Sequence, residues 1–87
     1  MSEQANNMEI FDMADEFIAI ANRLLEEEKD LGKISAAIRY AAARFSAYEA
    51  ARRSGDLATD KEKATIWFTE QFEKMLVENL DQHIEGS

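Results

Sequence analysis

The chain has no cysteine and no proline, and its 87 residues include three glycines, one histidine and one tryptophan. Without cysteine there is no disulfide, no thiolate metal site and no cysteine nucleophile, a composition that fits a reducing cytosol. No apolar run approaches the ~20 residues of a membrane span. The opening residues, Met1 to Asn7, have neither the basic nor the apolar stretch of a secretory signal. No membrane role and a cytoplasmic location are therefore expected. Basic residues are also scarce: 10 Lys and Arg stand against 18 Asp and Glu, for a net charge of −8. A nucleic-acid role is set aside on this ground, because binding a phosphate backbone depends on Lys and Arg releasing counterions. A basic partner remains compatible with the charge.

What is present is helix-forming sequence. Apolar residues make up 46% of the chain, enough for one small domain with a thin core. Glycine sits at positions 32, 55 and 86, and glycine just past a helix end supplies the left-handed turn at low steric cost. The spacing predicts helices over Asn7 to Asp30, Ile34 to Ser54 and Asp60 to Ile84, the last opened by a capping box of Thr59 and Glu62. Ile10, Phe11, Ala14, Phe17, Ile18, Ala21, Leu24 and Leu25 recur at helical steps, as do Ala64, Phe68, Phe72, Met75 and Leu76. Nothing alternates as a strand would. The expected architecture is an all-α three-helix bundle with short connections and a central second helix. It is a single helical domain over residues 7–84, between flexible ends at 1–6 and 85–87.

The second helix is apolar over more than half its circumference. One arc holds Ile34, Ile38, Ala41, Phe45 and Tyr48, and the other Ala36, Tyr40, Ala43 and Ala47. This argues for contact with both neighbours. Charge agrees. Met1 to Asp30 carries nine acids and two bases (net −7), Leu31 to Gly55 five bases and one acid (net +4), and Asp56 to Ser87 eight acids and three bases (net −5). A basic helix between two acidic ones is expected to pair with them inside the chain, through weak surface contacts.

Residues that break the pattern are the candidate site, since local rules fail most often where function or strain intervenes. Arg44 falls in the middle of the second helix's apolar arc. A buried arginine needs an acceptor, because leaving its charge unpaired is costly. Asp15 and Asn22 line one edge of the first helix's stripe, and Asn79 interrupts the apolar face of the third. A buried or half-buried polar cluster of Asp15, Asn22, Arg44 and Asn79 is expected, with Tyr40 lending its hydroxyl. It is either a hydrogen-bonded pin for helix register or a clamp for a small anion or carboxylate. The lone His83 is read as a packed or solvated side chain. Glu70, Glu73 and Glu78 lack the Glu-x-x-His pattern of a di-metal helical site, and no metal, cofactor or catalytic residue is assigned. Ile66, Val77 and Ile84 form a separate stripe on the third helix, with Trp67 pointing elsewhere. Together they are either a broad core face or a partner surface.

Three segments carry a family resemblance: Phe17-Ile18-Ala19-Ile20-Ala21-Asn22, the run from Gly32 to Phe45 with its Tyr-Ala-Ala-Ala-Arg-Phe end, and Met75-Leu76-Val77-Glu78-Asn79-Leu80-Asp81. Together they resemble the bacterial family known as domain of unknown function 3144, over Phe11 to Ile84. The family pattern maps onto Asp15, Asn22, Tyr40, Arg44, Phe45 and Asn79. It departs at Ser46, where asparagine is expected, and at Tyr48, where phenylalanine is expected. The resemblance implies a small cytosolic bacterial helical protein and no reaction, ligand or partner. Two functions are carried forward: a non-enzymatic module that binds a protein partner or forms a homodimer, and a ligand-binding protein or minor enzyme built on Arg44.

Overall fold

Helical spacing is realised almost throughout. The computed structural model describes residues 9–86, of which 91% are helical. Among them are three helices and no strand: α1 (Ile10–Glu28), α2 (Leu31–Arg53) and α3 (Leu57–Glu85). The arrangement is all-α, with α1 contacting α2 and α2 contacting α3. The chain divides into two compact units, Met1–Ala43 and Arg44–Ser87, so that the boundary falls within α2.

The helices start and stop where aspartate side chains favour it, rather than at the glycines. The expected first junction at Gly32 is displaced: α1 ends at Glu28 and α2 begins at Leu31, with Gly32 inside its first turn. The residue in the left-handed conformation is Lys29 (φ 57°, ψ 30°), whose N–H donates to the Leu25 carbonyl at 2.8 Å. Its Nζ donates to the Glu26 carbonyl at 3.1 Å. Asp30 then caps α2, its Oδ1 accepting from the Lys33 N–H at 3.0 Å. A short polar side chain at this position satisfies an amide that the helix leaves unpaired. The second junction also moves. Asp56, and not Thr59, caps α3: its carboxylate accepts from the Thr59 N–H at 3.4 Å and from the Thr59 hydroxyl at 2.7 Å. Ser54 joins this turn by donating to Asp60 at 2.7 Å and accepting from the Asp56 N–H at 3.0 Å.

The expected flexible segment at 1–6, and Asn7 as the start of the first helix, lie outside the described residues. At the other end Glu85 is the last residue of α3, and the Gly86 N–H closes it onto the Gln82 carbonyl at 3.0 Å.

Side-chain burial gathers beside the two turns. In the first unit Ile34 is buried at 6% exposure, and Ala21, Leu24, Leu25 and Ser35 are half-buried. In the second unit Ser46, Glu49, Ala50 and Ser54 on or next to α2, and Asp60, Ala64 and Phe68 on α3, are half-buried. Away from the turns, every residue from Ile10 to Ile20 and from Thr69 to Gly86 is exposed.

Candidate functional site

The expected polar cluster can be followed residue by residue. Asp15, Asn22 and Tyr40 fall in the first unit, and Arg44 and Asn79 in the second. All five are exposed, so the burial expected of Arg44 and its companions is not observed. The physical reason lies in the inference itself. A wheel position fixes the direction of a side chain, but burial requires something packed in that direction. Asn79 is held by its own helix, its Nδ2 donating to the Met75 carbonyl at 2.8 Å. His83 is exposed in the last turn of α3.

Apolar surface is the larger feature. Among the described residues twenty large hydrophobic side chains are exposed against the single buried Ile34. The second unit shows how they are organised. On α3 the half-buried side runs through Asp60, Ala64 and Phe68, four residues apart. Ile66, Val77 and Ile84 lie on the opposite side of the helix at 100° per residue, and all three are exposed, Ile84 at 70%. Glu70, Glu73 and Asp81 share that side by the same spacing, so the stripe is apolar and acidic at once. Trp67 is also exposed, its ring edge-on to Phe68 with centroids 4.9 Å apart.

A second stripe lies on α2. Phe45, Tyr48 and Arg52 are spaced three and four apart and so share one face. Phe45 is 70% exposed, and its ring lies 5.6 Å from that of Tyr48. Arg52 donates to the Tyr48 hydroxyl at 2.7 Å and sits over the same ring at 5.7 Å. The sequence expectation placed Phe45 and Tyr48 in the core arc. The Arg52 position, seven residues after Phe45, was the signal that one end of this arc is solvated.

Between the two helices, next to their turn, lies a shallow open cleft of about 300 Å³. Ala50, Leu57, Ala64 and Trp67 give it an apolar floor, with Arg53 and Lys63 at its rim. Hydrogen bonds from Thr59 hold the Asp56 carboxyl below the usual aspartate value, in keeping with its capping role. Ion pairs are superficial: Arg23 with Glu27 at 3.1 Å and Arg53 with Glu49 at 3.4 Å stay within their own helices, and Lys33 reaches Glu28 of α1 at 3.9 Å. Arg39 donates to Ser35 at 2.9 Å in its own helix. Among the described residues no group of three His, Asp or Glu side chains could hold a metal ion, and no helix is long and apolar enough to cross a membrane.

A small all-helical protein with exposed apolar helix faces is the class these features define. Residues 10–84 match the family described as protein of unknown function (DUF3144), and the chain belongs to that family. No curated protein and no solved structure matches it.

Proposed function

We propose that this is a non-enzymatic cytosolic module of a bacterial cell that works by packing its exposed apolar helix faces against another protein surface. The observation that carries the reading is that, among the described residues, twenty large hydrophobics are exposed while Ile34 is buried and Leu24, Leu25 and Phe68 are half-buried. Fully covering a side chain of this size stabilises by roughly 1.5–3 kcal/mol, so a surface that meets Ile66, Trp67, Val77 and Ile84 gains several such contributions at once. Isolated surface hydrophobics need no explanation; what supports the reading is that Ile66, Val77 and Ile84 recur on one side of α3, interleaved with Glu70, Glu73 and Asp81. The acidic, cysteine-free composition is compatible with the cytosolic part of the reading.

The test is affinity capture with partner identification, run with the full chain and with Val77→Glu combined with Ile84→Glu. Captured proteins, further copies of this chain included, should be retained by the unchanged protein and lost from the double variant, while the far-UV helical signal stays the same. A double variant that loses its helical signal would show the stripe to be core and overturn the reading.

A further inference from the structure

The cleft beside the second turn lies wholly within the second unit and has a chemistry of its own. We propose that it binds a small organic acid with an apolar body, the body on the floor and the carboxylate at the rim. Such a site stands apart from Ile66, Val77 and Ile84 and from any protein that meets them.

The lining follows from helical spacing. Asp60, Lys63, Ala64 and Trp67 are three and four residues apart on α3 and so share one face. Ala50 and Arg53 of α2 line the other side, and Ser54 and Leu57 line the end at the turn. The alanines keep the floor open, since a longer side chain at 50 or 64 would fill it. The resulting volume of about 300 Å³ lies at the low end of small-molecule sites, roughly 300–1,000 Å³. It is about twice the ~150 Å³ that holds a benzene ring. A phenyl group with a short chain is of this size. Trp67 gives the floor an aromatic surface, and its ring is set edge-on against the half-buried Phe68 at 4.9 Å.

Charge selects the sign of the ligand. The lining holds two bases, Arg53 and Lys63, and one acid, Asp60, a net of +1 in a chain of net −8. Asp60 is half-buried and already accepts from the Ser54 hydroxyl at 2.7 Å. Arg53 has an exposed ion pair with Glu49 at 3.4 Å, of a kind that contributes little. Lys63 has no ion pair among the described residues. A carboxylate above this floor gains charge-assisted bonds from both bases. A cation is repelled by them, and a neutral ligand gains the floor alone.

Trp67 is the one tryptophan in the sequence, so its fluorescence reads the cleft directly. The probes are phenylpropionate, phenylpropanol and phenylpropylamine, which share a body and differ in charge, each titrated into the full chain at fixed ionic strength. Phenylpropionate should change the Trp67 emission saturably, with a dissociation constant of about 1 mM. Phenylpropanol should bind about tenfold more weakly, and phenylpropylamine more weakly still. Arg53→Gln with Lys63→Gln should weaken phenylpropionate about tenfold and leave phenylpropanol unchanged, because two exposed charge contacts are lost and the floor is intact. Ala64→Leu should fill the floor and abolish both responses; if it lowers the far-UV helical signal, Ala50→Leu serves instead. Equal affinity for acid and alcohol overturns the acid site, as does acid binding that survives the charge variant. A response that persists when the floor is filled places the acid elsewhere and overturns it too. So does the lack of a saturable response to phenylpropionate.

Discussion

The two turns solve the same problem with different residues. The first has a lysine in the left-handed conformation, one capping aspartate and a buried isoleucine four residues beyond it. The second has a glycine with no positive φ, a serine and two aspartates linked by hydrogen bonds, and no buried side chain. One turn is held by apolar burial at the cost of backbone strain, the other by a relaxed backbone and a polar network. In this chain the presence of glycine is therefore a poor guide to where backbone freedom is needed.

Substitutions can break this contrast, and the largest effect should come at Ile34. Ile34→Ala removes the one buried side chain among the described residues and should destabilise the protein by about 2–5 kcal/mol, measured by chemical denaturation at fixed protein concentration. Ala64→Gly, on the second turn's half-buried side, should cost only about 1 kcal/mol, and equal losses would erase the distinction. Asp30→Ala should cost about 1 kcal/mol through loss of the cap on α2, with Asp30→Asn recovering most of it.

Two substitutions with smaller effects sharpen the comparison because their signs run against habit. Lys29→Gly relieves the left-handed penalty and should raise stability by about 0.5–1 kcal/mol, even though the bond to Glu26 is lost. Gly55→Ala should also stabilise, by about 0.4–1 kcal/mol, since a Cβ there meets nothing within 4 Å and its φ is not positive. A loss on Gly55→Ala would mean that the second turn is strained after all. The smallest effect is in pH dependence. Asp56 has a folded pKa below its unfolded value, so its contribution is complete above the ordinary aspartate range near ~4 and fades as pH falls through the lowered value. Asp56→Asn should flatten that part of the acid limb of a thermal-denaturation series.

Much of the fold was legible because the helical period is strong. Phe17, Ala21, Leu24 and Leu25 mark α1, and Phe68, Phe72 and Met75 mark α3, without help from context. The ends were misread by about three residues for one reason. Gly32 and Thr59 are strong end signals by residue type, but the Asp30 and Asp56 side chains reach the free amides first and start α2 and α3 three residues before Ile34 and Asp60. The degree of burial of Arg44 was not legible for another reason. Arg44 does lie on an apolar arc, but periodicity reports direction and not cover, and much of that arc, Phe45 and Tyr48 included, faces solvent. The α3 stripe was visible as a stripe, but which side of α3 carries the half-buried Asp60, Ala64 and Phe68, opposite Ile66, Val77 and Ile84, depends on how α3 packs within its unit and not on periodicity.

The gathering of covered side chains beside the turns also bears on how the chain reaches its structure. Leu25 and Ile34 flank one short turn, and Ala50 and Ala64 the other, so ordering them closes only small loops. Chains dominated by such local contacts fold in microseconds to milliseconds, and loops of this size close in roughly 10–100 ns. Each helical pair can therefore order as soon as its second helix is available, without waiting for distant parts of the chain.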